Sequence, residues 1–105
     1  MKRNYKTERE LINELEKLNI PGAFLKEKLE KLKIQFKTAK NLGYDPSYII
    51  EGERENILGM EITPINIYVE APYKNLEDKI RIIHSHQNLD EESIMRLIKL
   101  RSKRW

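Results

Sequence analysis

Apolar and polar residues alternate with the period of a helix in the first part of the chain. Four apolar residues recur at helical spacing there, namely Leu11, Ile12, Leu15 and Leu18. Thr7 and Glu10, which precede them, form a capping box. In this motif each side chain accepts a hydrogen bond from a backbone N–H that the first helical turn leaves unsatisfied. The pattern predicts a helix over residues 8–18. Pro21 ends it, because proline cannot continue a helix.

A second helix is predicted from Pro21 to residue 42. Its apolar residues form one narrow stripe with heptad spacing: Leu25, Leu29, Leu32, Phe36 and Ala39. Gly43 follows as a cap in the left-handed conformation that glycine adopts without strain. Because a short Pro-Gly turn joins the two helices, residues 1–43 are predicted to fold as an antiparallel helical hairpin.

The period changes to that of strands after Pro46. Residues 48–50, 57–62 and 65–69 form three runs that are rich in β-branched and aromatic side chains. Proline cannot donate a hydrogen bond to a strand ladder, so Pro64 and Pro72 should bound strands or lie on edges. Residues 44–72 are therefore predicted to form two or three short antiparallel strands.

The C-terminal part, residues 73–105, is predicted to be helical. Residues 75–86 fit either a helix capped by Asn75 or a strand, and we favour the helix. A last helix begins after Asn88 or Asp90, with acidic residues in its first turn and basic residues in its last turns, as the helix dipole favours. The 105 residues offer room for one core, so we predict a single α+β domain over the whole chain.

The composition is rich in charge. Charged residues make up 35% of the chain, and the net charge of +3 divides into +5 over residues 1–43, −4 over 44–75 and +2 over 76–105. Cysteine is absent, and no apolar run is long enough to cross a membrane. These features suggest a cytoplasmic protein with no membrane partner, and the abundance of Ile, Lys, Asn and Glu suggests a phage or another AT-rich origin.

The C-terminal helix carries the strongest basic feature. Four cations in its last turns or at its end are candidate contacts for a phosphate backbone: Arg96, Lys99, Lys103 and Arg104. The helix dipole also favours cations at the C-terminal end of any helix, which explains the same residues without a ligand. Nucleic-acid binding is therefore one hypothesis for this helix.

The narrow apolar stripe of the second helix offers a surface to another protein. Its candidate interface residues are Leu25, Leu29, Leu32 and Phe36. The same stripe is equally suited to the core of the domain. Lysines along one flank of this helix face the glutamates of the first helix in the predicted hairpin, so charge pairing within the chain or in a homodimer explains them at least as well as nucleic acid does.

His84 and His86 form the pair that most resembles a catalytic motif. Two imidazoles two residues apart can share a metal ion with a carboxylate, and three carboxylates are candidates: Glu70, Asp90 and Glu91. The run His84-Ser85-His86 resembles part of the metal-binding pattern of JAMM-type metalloproteases. That pattern needs an aspartate where this chain has Arg96. The resemblance therefore does not assign the family, and we predict neither a metal nor a cofactor.

No specific catalytic motif accompanies the small size and the dense charge, which favours a protein that is not an enzyme. We predict a small accessory or regulatory binding protein that acts through a protein partner, whose identity the sequence does not give. The apolar stripe leaves a homodimer open. Nucleic-acid binding through the C-terminal helix is the first alternative, and a metal-dependent hydrolase at His84 and His86 is the second.

Overall fold

The computed structural model describes residues 2–18, 22–52, 55–62 and 65–102. Helices and strands are mixed along these residues, so the fold class is α+β, as predicted. In chain order the elements are β1 (Lys2–Tyr5), α1 (Glu8–Lys17), α2 (Gly22–Asn41), β2 (Ser47–Gly52), β3 (Glu55–Ile57), β4 (Met60–Ile62), β5 (Ile65–Glu70), α3 (Leu76–Ile83), a 3₁₀ turn (Ser85–Gln87) and α4 (Glu91–Ser102).

Three of the strands form an antiparallel sheet in the order β1-β2-β5. β2 is the central strand, where Tyr48 pairs with Tyr5 of β1 on one side and with Val69 of β5 on the other. Alternate side chains of a strand point to opposite faces. Tyr48 and Ile50 point to the face that α1 and α2 cover, where they join the main hydrophobic core.

The first strand corrects the prediction for the N-terminus. We predicted a helical hairpin over residues 1–43, but the chain begins with β1, and the structure does not confirm the hairpin. The first three residues of β1 are exposed and polar, so no alternating apolar pattern marks it as a strand. It is a strand because it pairs with the edge of β2, and such tertiary pairing leaves no periodic signal in the sequence.

The predicted helix starts are confirmed by hydrogen bonds to the capping side chains. Thr7 Oγ1 accepts from the backbone N–H of Glu10 at 3.2 Å, at the start of α1. Asn75 Oδ1 accepts from the backbone N–H of Asp78 at 2.8 Å, at the start of α3. Residues 76–83, which fitted either a helix or a strand in the sequence, are therefore a helix. Asp90 caps α4 in the same way.

β3 and β4 form a separate hairpin, where we predicted one strand over residues 57–62. Leu58 and Gly59 join the two strands, with positive φ angles of 53° and 80°. Two central residues with positive φ give a type I′ turn, whose twist matches that of antiparallel strands. The turn escaped prediction because asparagine, aspartate or glycine, and not leucine, usually occupies its first central position.

The main core lies between the sheet and the pair α1 and α2. Phe36 stacks on Tyr48, with ring centroids 4.4 Å apart and ring planes 8° apart. Three buried leucines belong to the same cluster: Leu11, Leu15 and Leu32. Burial raises the pKa of Tyr48 to about 12, so its ring stays neutral in the stack at physiological pH.

Replacing Phe36 with alanine tests this core. We expect Phe36→Ala to lower the free energy of unfolding by about 3 kcal/mol, because truncating a buried aromatic side chain leaves a cavity. Urea denaturation followed by circular dichroism measures the change. Ile34→Ala on the same helix is the matched control, since Ile34 is 45% exposed, and its effect should stay below about 0.5 kcal/mol. Equal losses from the two variants would contradict the assignment of Phe36 to the core.

Candidate functional site

A cleft separates α2 from β5 and from the segment that contains α3. Its volume is about 510 Å³, within the roughly 300–1,000 Å³ that ligand pockets occupy. The residues that line it come from three places: Lys28, Lys31, Leu32 and Gln35 from α2, Ile67, Tyr68, Val69 and Glu70 from β5, and Tyr73, Lys79, Ile83 and His86 from the chain that follows β5.

One wall of the cleft is the edge of a strand. Four consecutive residues of β5 line it, although neighbouring side chains of a strand point to opposite faces. A cleft that touches all four must therefore border the edge of the strand and not only one face. The sheet order leaves that edge of β5 without a neighbouring strand in the described part of the chain. Along an open edge, alternate residues direct their N–H and C=O groups outwards.

The charged groups that line the cleft are mostly cations. Lys28 and Lys31 stand on α2 and Lys79 on α3, whereas Glu70 is the carboxylate on the β5 wall. Glu70 already forms an ion pair with Lys2 of β1, with 3.4 Å between the Lys2 Nζ and a carboxylate oxygen. Lys2 does not line the cleft, so a cation from outside balances the charge of Glu70. The cleft as a whole attracts anionic groups.

Gln35 ties α2 to the C-terminal part of the fold inside the cleft. Its Nε2 donates to the carbonyl of Ile83 at 2.8 Å and lies 3.1 Å from Nδ1 of His86. The amide nitrogen carries two hydrogens, so the second can donate to a ring nitrogen that is unprotonated. Burial, together with the nearby charge of Lys31, lowers the pKa of His86 below its usual value of 6.5. His86 is therefore neutral at physiological pH.

Tyr73 adds a phenol group to the lining. Its ring meets the ring of Tyr44 edge to face, with centroids 5.8 Å apart. The Tyr73 Oη is buried and makes no hydrogen bond to any described residue. Burial raises the pKa of Tyr73, so the hydroxyl keeps its proton at neutral pH. It can donate that hydrogen bond to an acceptor that enters the cleft.

Arg96 and Lys99, the two predicted nucleic-acid contacts that the structure describes, do not line the cleft. Arg96 pairs with Glu92 at 2.9 Å on α4, and the two side chains are 75% and 74% exposed. Lys99 is exposed as well, whereas Lys103 and Arg104 lie outside the described residues. An exposed ion pair of this kind contributes little to stability, so Arg96 can exchange Glu92 for a phosphate at small cost. The nucleic-acid hypothesis stays a prediction.

The residues predicted to form a protein interface lie in or beside the core. Leu32 and Phe36 are buried, and Leu25 and Leu29 are partly buried against the same cluster. Leu32 also lines the cleft. The stripe therefore packs largely on the chain's own sheet, and its role as an interface stays a prediction.

The two histidines make separate hydrogen bonds. Nδ1 of His84 lies 2.8 Å from Oε1 of Gln87, whereas His86 contacts Gln35. Among the described residues, no group of three or more His, Cys, Asp or Glu side chains is placed to hold a metal ion. Neither histidine contacts a carboxylate within the described ranges, and the hydrolase hypothesis stays a prediction.

No protein-family model, curated protein or solved structure matches this chain. None of the described helices is both long and apolar enough to cross a membrane.

Lys28, Lys31 and Lys79 escape prediction because lysines are ordinary on exposed helix faces and because Lys79 comes from a distant part of the chain. The spacing of Lys28, Lys31 and Gln35 by three and four residues puts them on one face of α2. That shared face is the signal that the sequence offers. This face of α2 lies opposite the open edge of β5. That edge is open because of the order of strands in the sheet, which the sequence pattern does not give.

The lowered pKa of His86 predicts a pH-dependent loss of stability. The folded state binds the proton less readily than the unfolded state does, so the free energy of unfolding should decrease as the pH falls from 6.5 downwards. Urea denaturation at neutral and mildly acidic pH measures this for the wild type and for His86→Gln, which should lose this part of the decrease. His84→Gln leaves His86 in place and should keep it. Identical pH dependence in the wild type and His86→Gln would contradict the prediction.

Proposed function

We propose that this chain is a small accessory or regulatory binding protein that acts through a protein partner and holds an extended segment of that partner in the cleft beside β5. The observation that carries the proposal is the position of the open edge of β5 opposite the lysines of α2. An extended peptide that adds a strand to an open sheet edge is a recurrent mode of protein recognition, in which backbone hydrogen bonds give affinity and side-chain pockets give specificity.

The side chains around the cleft indicate the chemistry of the bound segment. Lys28 and Lys31 favour acidic residues. The apolar residues among the lining favour apolar side chains: Leu32, Ile67, Val69 and Ile83. A strand directs alternate side chains to opposite faces, so a segment that alternates acidic and apolar residues meets both sets. The buried hydroxyl of Tyr73 is available to a carbonyl or carboxylate oxygen of the segment.

The uncharged polar groups of the lining can take part in binding. His86 is neutral, its Nδ1 lies 3.1 Å from Nε2 of Gln35, and that Nε2 donates to the carbonyl of Ile83. Tyr73 keeps its proton. The Tyr73 hydroxyl can donate a hydrogen bond to a bound segment, and Lys28 and Lys31 can pair with its carboxylates.

A peptide that alternates glutamate and valine, with both ends blocked and a fluorophore attached, tests the proposal by fluorescence anisotropy. We expect it to bind, and we expect salt to weaken the binding because the contacts include ion pairs. The double variant Lys28→Glu/Lys31→Glu should raise the Kd by about tenfold or more. Lys26→Glu/Lys37→Glu is the matched control on α2, because both lysines are exposed and neither lines the cleft, and its Kd should stay close to that of the wild type.

N-methylation of the same peptide tests the strand edge separately from the charges. In an added strand only alternate N–H groups face β5. Methylating one alternate set of amides should therefore abolish binding, whereas methylating the other set should preserve it. If both methylated peptides bind as well as the parent peptide, the open edge of β5 is not used and the proposal fails.

Nucleic-acid binding through α4 is a second candidate, favoured by the exposure of Arg96, Lys99 and Arg101 along that helix. If the four cations predicted from the sequence each neutralise one phosphate of duplex DNA, the slope of log affinity against log salt should be about −3.6. Fluorescence anisotropy with a labelled duplex over a salt series measures it. Arg96→Glu/Lys99→Glu should abolish this binding and leave peptide binding in the cleft unchanged. No detectable binding at low salt would contradict this candidate.

A further inference from the structure

Lys28 and Lys31 of α2 carry positive charges that no carboxylate of the described residues neutralises. Both side chains line the cleft. Among the described residues neither of them forms an ion pair. Lys33 of the same helix does form one, with 2.9 Å between its Nζ and a carboxylate oxygen of Glu8 in α1. The two cleft lysines are therefore available to an anion from outside the chain.

The surroundings of the two lysines make such an anion favourable. Glu27 stands four residues before Lys31, a spacing at which glutamate and lysine commonly pair on a helix. Glu27 is exposed and does not line the cleft, and within the described ranges the two side chains form no ion pair. Lys28 is half-buried. A half-buried lysine has lost part of its hydration, so an anionic ligand stabilises it more than it would stabilise an exposed lysine.

The spacing of the two lysines lets them reach one anion together. Residues three apart on a helix are neighbours on its surface, with Cβ atoms about 5–6 Å apart, and the long stem of lysine lets its ammonium group move towards a shared ligand. A carboxylate carries one negative charge and neutralises one lysine. A phosphate monoester carries a charge of about −1.5 to −2 at pH 7 and has three acceptor oxygens. It can therefore neutralise both lysines at once.

The remaining polar groups of the lining are compatible with a phosphate. Glu70 is the carboxylate of the β5 wall, and its ion pair with Lys2 already balances its charge. The hydroxyl of Tyr73 is protonated at neutral pH and accepts no hydrogen bond from a described residue. The volume of about 510 Å³ is large enough for a phosphorylated side chain together with part of an extended backbone. The cleft thus offers unpaired cations to a phosphate and one carboxylate that is already neutralised.

We propose that the extended segment bound beside β5 carries a phosphorylated serine or threonine, and that Lys28 and Lys31 hold its phosphate together. This inference rests on the proposed function, because it takes the cleft as the site of an extended segment and adds the chemical identity of the anionic residue. The phosphate adds charge-assisted hydrogen bonds to the backbone contacts of the segment. Phosphorylation of the partner then controls when the segment binds.

Three peptides that differ in one residue test the inference by fluorescence anisotropy. Each alternates glutamine and valine, has blocked ends and carries phosphoserine, glutamate or serine at its centre as the single variable residue. We expect the phosphoserine peptide to bind with a Kd about tenfold lower than that of the glutamate peptide, because a dianion neutralises both lysines. The serine peptide should bind more weakly than either.

Single substitutions test whether both lysines hold the same phosphate. Lys28→Gln and Lys31→Gln should each remove most of the preference for phosphoserine over glutamate, because the remaining lysine needs only one negative charge. Lys26→Gln/Lys37→Gln is the matched control on α2, since both lysines are exposed and neither lines the cleft, and it should keep the preference. Thermal unfolding followed by circular dichroism should give the same midpoint for all these variants and the wild type.

Three outcomes would overturn the inference: equal affinities of the wild type for the phosphoserine and glutamate peptides, a preference for phosphoserine that survives both single substitutions, or inorganic phosphate that binds as tightly as the phosphoserine peptide in calorimetry. The last outcome would assign the lysines to free phosphate. The peptide that alternates glutamate and valine distinguishes these failures from failure of the proposed function. A wild type that binds it without preferring phosphoserine refutes only the phosphate, and a wild type that binds none of the peptides refutes both.

Discussion

The contact between Phe36 of α2 and Tyr48 of β2 is the constraint on which the rest of the structure depends. β2 is the central strand, so the element that packs on it is placed relative to both edges of the sheet. The stack at 4.4 Å fixes the distance of α2 from β2, and Leu32, one turn earlier, packs in the same cluster. That placement brings Lys28 and Lys31 opposite the edge of β5. The cleft is therefore a consequence of how the core packs, and its width follows the stack.

The other end of the cleft depends on polar contacts. Gln35 bonds the carbonyl of Ile83 and lies within hydrogen-bond distance of the ring of His86, and Ala39 of α2 packs in one hydrophobic cluster with Ile82 of α3. Arg81 then links α3 to α4 by hydrogen bonds to Glu91, which hold the pKa of Glu91 below its usual value. No residue of α4 is fully buried. Because exposed ion pairs stabilise weakly, stability is expected to decrease from the sheet towards α4.

Local signals in the sequence were sufficient for the helices and insufficient for the pairing of strands. Thr7, Asn75 and Asp90 act on backbone groups three residues away, so their side-chain chemistry signals the starts of α1, α3 and α4, although a strand stayed possible for residues 75–86 and Asn88 stayed possible as the cap of α4. β1 is a strand because of β2, which lies far along the chain, and the turn at Leu58 depends on a backbone conformation that leucine does not signal. The cleft depends on the same non-local pairing, which is why its lysines were not distinguishable from other exposed lysines.

An open strand edge exposes unpaired backbone groups and invites aggregation, so proteins usually protect it. One common protection is a lysine on the edge strand itself, which keeps a second edge away. β5 has no lysine over Ile65–Glu70, and the lysines near its edge stand across the cleft on α2 and α3. These lysines leave the cleft between themselves and β5. An added strand can therefore lie along β5, and the lysines favour one that carries acidic residues. The separate β3–β4 hairpin keeps Leu58 in a left-handed conformation that costs about 1 kcal/mol relative to glycine. Departures from local rules concentrate at functional sites, and the open edge of β5 beside the lysines of α2 is such a departure.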